Sequence, residues 1–329
     1  MSGVLNSLSN RSWIEIAAQL TPEKGPRGLW MRSKFLVRAA RYGKSVGPWF
    51  AFLETEEMAP IARRHPHLFP KVQWPYLMRN YTPAQRLEIL KNHYRVALER
   101  LSPELIGQFF FSCHVELARW KVDATDTFSL RLAFTHHHRQ EGEMALGLVH
   151  ETTGRCCAFF HFTITGPAEI SIGCLQGCKP VEDAGQISNQ ELHRAFKRKM
   201  HGMRHKSLLL FALRRLAACW GVTRIRAVSN ATQLWSEHLQ ADYDAFWIEE
   251  GGALEPDGTF AIPADEPLDD FRARPKKRSM YRRRCELLEE LGAEMEKALS
   301  EPAAERAVLD LSALAPEPDM EFPAVETPS

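Results

Sequence analysis

A long stretch without acidic residues, set between two segments of strand character, constrains this chain more than any other feature. The flanking segments are Glu169–Gly177 (EISIGCLQG) and Arg224–Asn230 (RIRAVSN), and their β-branched and apolar residues are typical of buried strands. Between Leu192 and Arg226 there are ten Lys or Arg residues and no Asp or Glu. A strand, a basic turn, a helix and a second strand present positive charge and backbone N–H groups to an anion.

The part of this stretch that points most clearly to a ligand is the basic turn (His201–Ser207), which precedes an apolar helix. Gly202 allows the backbone to approach a phosphate closely, while Arg204 and Lys206 supply positive charge. Ser207 stands where the helix begins. The turn lacks the second Gly of a Walker A loop and is too short for one. The pattern fits an anion-binding turn and also a glycine turn with solvated basic residues.

The composition is that of a globular protein with a sizeable core, since 44% of the 329 residues are hydrophobic and 25% are charged. A net charge of +1 does not favour nucleic acid as a partner of the whole chain. The seven Cys residues form an odd set and no secretory signal precedes them, which predicts reduced thiols in a cytoplasmic, bacterial-type protein. No apolar stretch reaches the ~20 residues of a membrane span, so we expect a soluble protein with at most peripheral contact with an anionic inner membrane.

Periodicity and charge divide the chain into a mainly helical N-terminal region over 1–125, an α+β core over 126–290 and an acidic tail over 291–329. In the first region, Thr82–Gln85 (TPAQ) is typical of a helix start with a capping box. The tail is rich in Asp, Glu and Pro, which predicts disorder.

The core is predicted to contain a mixed, mostly antiparallel sheet with flanking helices. Alternating apolar residues in 128–135, 144–151 and 155–165 predict a β-meander that leads into the strand at Glu169–Gly177. The basic turn and its helix then connect this strand to the one at Arg224–Asn230.

Two further segments interleave basic and aromatic residues. Residues 27–52 carry both kinds at helical spacing, which fits an interfacial amphipathic helix and also a helix that packs its aromatic rings on its own domain, the commoner arrangement. Residues 272–284 contain eight Lys or Arg with Tyr281 among them. Such a run suits nucleic-acid phosphate or anionic lipid, although a solvated face is more common.

No metal site is predicted. The consecutive residues His136–His138, with His150 and His161 on neighbouring strands, cannot all face one ion in a coordination sphere of fixed geometry. The Cys spacings do not match a zinc site either. Cys174 is the one candidate nucleophile, and that role requires a thiolate of lowered pKa.

Five segments, in this order, resemble the VirK/YbjX family of bacterial proteins. They are IGCLQG (Ile172–Gly177), HGMRHKSLLLFALRRLA (His201–Ala217), AVSN (Ala227–Asn230), YDAFWIEEGG (Tyr243–Gly252) and KKRSMYRRR (Lys276–Arg284). His205 and Cys285 stand where the family usually carries Pro and Tyr. The resemblance implies a link to virulence, envelope integrity and tolerance of antimicrobial peptides in Gram-negative bacteria, and it brings no agreed reaction.

The order of the elements also resembles, at the level of the fold, the GNAT acyltransferases. That fold has a β-meander, a central strand whose edge pairs with a pantetheine arm, a turn that cradles a pyrophosphate, and a Tyr-bearing helix. The corresponding segments here are 128–165, 169–177, 201–207 and 242–250. The resemblance implies an acyl-CoA or an acyl-carrier protein as the donor, although fold alone does not determine function.

These observations lead to a predicted acyltransferase that moves an acyl group from a thioester to an amine or hydroxyl of an envelope precursor. The residues expected to hold the phosphates are Gly202, Arg204, Lys206 and Ser207. Cys174 and Gln176 are expected to flank the thioester, Glu143 or His161 to act as the base, and Tyr243 as the acid. The alternative is a non-catalytic accessory protein that binds anionic lipid, nucleic acid or a partner protein through its basic faces.

Overall fold

One mixed sheet of eight strands organises the part of the chain that the structure describes. The computed structural model describes residues 13–21, 24–112, 114–122, 124, 126–134, 140–177, 189–239, 241–265 and 278–300. The strands are β1 (His114–Lys121), β2 (Thr127–Phe134), β3 (Met144–His150), β4 (Arg155–Gly166), β5 (Glu169–Gly177), β6 (Arg224–Val228), β7 (Ala253–Leu254) and β8 (Thr259–Ile262). The predicted α+β class, with a mostly antiparallel sheet after a helical N-terminal region, is confirmed.

Helices precede the sheet and flank it. They are α1 (Trp13–Leu20), α2 (Pro26–Arg41), α3 (Gly43–Leu53), α4 (Met58–Arg64), α5 (Pro83–Arg100), α6 (Pro103–Phe111), α7 (Asn189–Lys199), α8 (His205–Cys219), α9 (Tyr243–Glu249) and α10 (Arg278–Leu299). The predicted capping box begins α5, because the Thr82 side chain accepts a hydrogen bond from the Gln85 N–H and the Gln85 side chain accepts one from the Thr82 N–H. No helix among the described residues is long and apolar enough to cross a bilayer.

The strand order β1-β2-β3-β4-β5-β6-β8-β7 contains one parallel pair, β5 and β6, among the described strands. α7 and α8 make the crossover between these two strands. The pairing runs only from Glu169 opposite Arg224 to Ile172 opposite Ala227, so the last five residues of β5 continue without β6 beside them. The two parallel strands therefore separate over the C-terminal half of β5.

A β-bulge in β5 marks the same point. His161 lies opposite Cys174 and Phe162 lies opposite Ile172, which leaves Gly173 as the extra residue. A Cβ atom at Gly173 would lie 2.1 Å from the carbonyl oxygen of Glu141. The bulge therefore needs glycine because another stretch of backbone passes directly over it.

α8 is the central helix of the core. Its Leu208, Leu209, Leu210, Leu213 and Leu216 side chains are all fully buried, and burial of each contributes roughly 1.5–3 kcal/mol. Both α5 and α8 pack against β4. The buried cluster around them includes residues of the helical region and of the sheet.

Some predictions concern residues outside the described part of the chain. These are the acidic tail after residue 300, the His136–His138 run and residues 272–277 of the C-terminal basic segment. β1 lies before residue 125 and is the first strand of the sheet. The division of the chain into three parts stays a prediction.

Candidate functional site

Tyr243 is the first residue of α9 and lies where β5 and β6 separate. A set of hydrogen bonds fixes its position. Asp242 caps α9 by accepting a hydrogen bond from the Ala245 N–H at 3.0 Å. Asn230, just beyond β6, accepts one from the Tyr243 N–H at 2.8 Å and donates one to Asp242 at 2.9 Å. The start of α9 is therefore tied to the end of β6.

The Tyr243 side chain reaches across to β5. Its hydroxyl accepts a hydrogen bond from the backbone N–H of Leu175 at 3.0 Å and lies 3.8 Å from the sulfur of Cys174. Trp247, one turn later on α9, donates from its indole N–H to the carbonyl of Val228 at 2.9 Å. Two aromatic side chains of α9 thus satisfy backbone groups of the two strands where these no longer pair with each other.

Burial sets the protonation of this group. Desolvation, followed by the neighbouring Cys174 and Glu141, raises the pKa of Tyr243 well above its usual value. Desolvation and then the charge of Glu141 likewise raise the pKa of the Cys174 thiol. Both groups are protonated at neutral pH, so Tyr243 retains a proton to donate. The electrostatics give no support to Cys174 as a thiolate nucleophile.

Glu141 is a buried acid beside this site that the sequence reasoning missed. Its carboxylate accepts a hydrogen bond from the Gln233 side chain at 2.6 Å, and only 2% of the residue is exposed. Its carbonyl covers the bulge at Gly173. The available signal was the Glu141-Gly142-Glu143 sequence directly before the apolar run 144–149, where two acids must be buried if the strand continues inward.

His161 and Gln176 also lie near Cys174. His161 is the register partner of Cys174 across β4 and β5 and is fully buried, with its ring 5.0 Å from that of Phe159. Gln176 is half-buried and lies close enough to Cys174 to lower its pKa through a side-chain hydrogen bond. The structure therefore brings together four of the predicted residues: Tyr243, Cys174, Gln176 and His161.

Glu143 belongs to a different polar cluster. Its carboxylate pairs with Lys71 and accepts a hydrogen bond from the Tyr94 hydroxyl, and all three side chains are buried. Burial alone would raise the pKa of Glu143, but the charge of Lys71 and then that of His93 outweigh it, and the pKa is lowered. An ionised carboxylate held in this way joins the helical region to the start of β3, which favours a structural role.

The basic turn has an unusual backbone. His201 and Gly202 have φ angles of 50° and 81°, in the left-handed region. Arg284 of α10 donates to the His201 carbonyl at 2.7 Å, and a Cβ at Gly202 would lie 3.2 Å from the same guanidinium. α10 therefore holds the turn in place from the C-terminal side of the chain.

Acidic residues at the C-terminal end of α9 contact the predicted anion ligands. Arg204 pairs with Glu249 at 2.5 Å, and the Ser207 hydroxyl donates to Glu250 at 2.7 Å. The first pair is about half exposed on both sides, so its net free energy is only ~0–1 kcal/mol and an incoming anion can compete for Arg204. Lys206 is more enclosed, and burial, then Arg204, lowers its pKa.

Acids from distant segments neutralise much of the basic stretch. The pairs are Lys199 with Asp126, Arg215 with Glu296, Arg224 with Glu169 and Glu255, and Arg226 with Glu255 and Asp257. Arg194, Lys197 and Arg198 on α7 are exposed and make no salt bridge within the described part of the chain. They border a hollow of about 640 Å³ that ends at Gly202 and Met280.

A larger cleft of about 820 Å³ lies on the other side of Gly202. Arg204, Ser207 and Phe211 line it along α8, and Tyr281 and Arg284 line it along α10. Both openings share Lys197 and Gly202, so the basic turn lies between two accessible concave surfaces. Among the described residues, no three His, Cys, Asp or Glu side chains converge as metal ligands would.

Comparisons with known proteins give relatives over most of the chain. A family model described as "Protein of unknown function (DUF535)" matches residues 24–297. "Uncharacterized protein YbjX" of Escherichia coli (strain K12) is 29% identical over 277 residues, which are 80% of this chain and 82% of that protein. An uncharacterized protein of Haemophilus influenzae is 28% identical over 177 residues, 52% of this chain and 58% of its own length. No solved structure matches.

Proposed function

Because the chain belongs to the DUF535 family, as its resemblance to VirK/YbjX proteins predicted, and that family's description assigns no activity, we propose a function from the geometry of the site. We propose an acyltransferase with a GNAT-like core that takes an acyl group from an acyl-CoA or acyl-carrier protein thioester. The acceptor is an amine or hydroxyl group of an envelope precursor.

The observation that carries this proposal is the position of the Tyr243 hydroxyl. It accepts a hydrogen bond from the Leu175 N–H of β5, beyond the last residue of β5 that pairs with β6. In the sequence, the basic turn and α8 connect these two strands. An extended pantetheine arm can pair with a strand edge only where the neighbouring strand has left it. Tyr243 therefore lies beside the one stretch of β5 that has this property.

The reaction requires two groups from the protein, an acid and a base. The acceptor nitrogen or oxygen attacks the thioester carbonyl, the C–S bond breaks, and the leaving thiolate takes a proton. Tyr243 is protonated, with its pKa raised by burial, and it supplies that proton. The acceptor's own proton passes to a base, and His161 and Glu141 are the buried candidates around Cys174.

The phosphates of the donor would bind at the basic turn. Lys206 and Arg204 lie at the start of α8, where free backbone N–H groups and the helix dipole favour an anion. Arg194, Lys197 and Arg198, which make no salt bridge among the described residues, line the adjoining hollow together with Glu191 and would offer positive charge to a second phosphate. Arg204 would exchange Glu249 for phosphate at small cost, because that pair is exposed.

A calorimetric titration tests this proposal. We expect CoA and acetyl-CoA to bind the native chain, and the double substitution Arg204→Ala, Lys206→Ala to weaken binding by at least ~100-fold, as for the loss of two charge-assisted contacts. The matched control is Arg224→Ala, which removes an equally exposed arginine of the same basic stretch on β6. Equal affinities for all three proteins would contradict the proposal.

The enclosure of Tyr243 favours a second candidate function. Tyr243 and Cys174 are 1% and 0% exposed, so the groups assigned to catalysis are closed to solvent in this conformation. A non-catalytic accessory protein that binds an anionic partner through α7 and the basic turn would need no such access. In the same titration, this candidate function predicts that pyrophosphate or polyphosphate binds with an affinity that falls steeply with salt. It also predicts that an acyl-CoA binds no more tightly than these phosphates do.

A further inference from the structure

The exposed apolar side chains of this protein are concentrated on its first two helices. Seven large apolar side chains are strongly exposed among the described residues, and five of them form what we call the N-terminal patch: Ile14 (67%), Leu29 (63%), Trp30 (58%), Met31 (43%) and Val37 (67%). The other two, Ile248 and Leu254, lie on α9 and β7. A cluster of this kind marks an interaction surface, whereas single exposed apolar residues are ordinary.

Within the patch, Ile14 belongs to α1 and the other four residues belong to α2, where Trp30 and Val37 form the outward face. The inward face consists of Gly28, Phe35 and Ala39, and the Phe35 ring stacks on that of Phe50. At about 100° per residue, Trp30 and Val37 fall on the side of the helix opposite to these buried residues, and Leu29 lies on the flank next to Val37. α2 is thus anchored to the protein by one apolar face and presents a second apolar face to its surroundings.

Positive charge lies beside this outward face. α2 carries five basic residues and no acidic one: Arg27, Arg32, Lys34, Arg38 and Arg41. Arg32 turns inward and donates to the Thr21 carbonyl at 2.8 and 3.1 Å. The helical period places the other four in one sector next to the apolar stripe, and the Lys34 ammonium lies 4.6 Å above the Trp30 ring.

We propose that the N-terminal patch docks this protein on the surface of an anionic lipid bilayer, with α2 lying in the plane of the membrane. An apolar stripe bordered by basic residues on a helix without acids is the arrangement that partitions into the boundary between headgroups and acyl chains. The positive sector faces the negative potential of the lipid surface. This surface is separate from the basic turn, so the inference goes beyond the proposed transferase and is tested independently of it.

Vesicle flotation of the full chain tests the proposal. The probes are vesicles of phosphatidylcholine alone and vesicles of phosphatidylcholine and phosphatidylglycerol in equal parts. We expect the native chain to bind the anionic vesicles. The double variant with Trp30→Ala and Val37→Ala should bind them at least ~10-fold more weakly, and the double variant with Lys34→Gln and Arg38→Gln should lose a similar amount of binding. The matched control, Ile248→Ala, Leu254→Ala, removes equally exposed apolar side chains elsewhere and should float as the native chain does.

Two results would overturn the proposal. One is a native chain that does not float with anionic vesicles, or variants that float as well as it does. The other is a native dimer in sedimentation equilibrium that Trp30→Ala, Val37→Ala converts to a monomer without any change in flotation, since the patch would then be a contact between two copies. The thermal midpoint of each variant checks folding, and it should match the native value because Trp30, Val37 and Lys34 are exposed and Arg38 is partly exposed.

Discussion

The backbone N–H of Leu175 donates a hydrogen bond to the Tyr243 hydroxyl at 3.0 Å, where β5 has already lost β6 as its neighbour. A side chain of α9 therefore occupies a position that a strand would hold in a continuous sheet. A ligand that pairs with this edge of β5 must first take over that hydrogen bond. Binding and a small movement of α9 are thus coupled in the proposed mechanism.

Tyr243→Phe should separate chemistry from binding. The phenyl ring keeps the packing against Trp247 but cannot donate a proton to a thiolate, so we expect thiol release from acyl-CoA to fall ~10²–10⁴-fold. The Leu175 N–H loses its partner, which costs ~1–3 kcal/mol of stability measured by chemical unfolding. Thioester affinity should not fall and should rise if anything, because the donor no longer has to displace the Tyr243 hydroxyl from the Leu175 N–H and the proton donation itself affects turnover. Unchanged turnover would remove Tyr243 from the mechanism.

Gly173→Ala should distort the bulge in β5. Its Cβ would lie 2.1 Å from the Glu141 carbonyl oxygen and 2.8 Å from a methyl of Leu77, so we expect a loss of ~2–3 kcal/mol in the free energy of unfolding. Gly177→Ala on the same strand is the matched control, since its Cβ meets nothing within 4 Å. That control should be neutral or stabilise by up to ~1 kcal/mol. Equal effects of the two substitutions would show that Glu141 does not lie over the bulge.

Lys71→Met should destabilise the protein strongly, because it leaves the Glu143 carboxylate buried without its cation. The expected cost is ~3–5 kcal/mol by chemical unfolding. Adding Glu143→Gln should recover part of that loss, because the uncompensated charge is gone. Arg79→Ala is the control: its pair with Glu237 is exposed, and its removal should cost less than ~1 kcal/mol. A double variant as unstable as the sum of the single ones would argue against a buried ion pair.

Stability should fall on acidification from above pH 6.5. Burial lowers the pKa of His93 from 6.5 to about 4 and that of His205 from 6.5 to about 3. Between these pKa values the two histidines are protonated in the unfolded chain and neutral in the folded chain. The stability that is present above pH 6.5 is therefore lost as the pH falls towards the pKa values of the folded state. His93→Gln should make the dependence of unfolding free energy on pH shallower by ~1.4 kcal/mol per pH unit in that window. An identical slope for variant and native chain would mean that His93 is accessible to protons.

Local patterns were sufficient for most elements of the core, although β1 was not predicted. Apolar alternation predicted the strands that became β2, β3 and β4, and Thr82 with Gln85 predicted the start of α5, because these signals involve neighbours along the chain. The single apolar runs at Glu169–Gly177 and at Arg224–Asn230 predicted β5 and β6 in the same way, and the structure shows that these two strands pair in parallel.

The environment of the site depended on residues far apart in sequence. The basic stretch contains no acidic residue in its sequence, but acidic residues from other segments lie against it in the fold. Glu249 of α9 pairs with Arg204, and Glu255 of the β7–β8 turn pairs with Arg224 and Arg226. No local signal pairs Lys71 with a carboxylate 72 residues later. Glu141 was missed for the same reason, since its burial follows from the way the β2–β3 connection passes over the bulge.

Thermal unfolding of the full chain with acetyl-CoA, a long-chain acyl-CoA or plain pyrophosphate tests the central claim most directly. A ligand that binds only the folded state raises the midpoint by mass action, in proportion to the logarithm of its concentration over its dissociation constant. The proposed transferase predicts that acyl-CoA raises the midpoint further than pyrophosphate does at equal concentration. A midpoint unmoved by all three ligands would contradict it and leave the basic turn as a solvated surface.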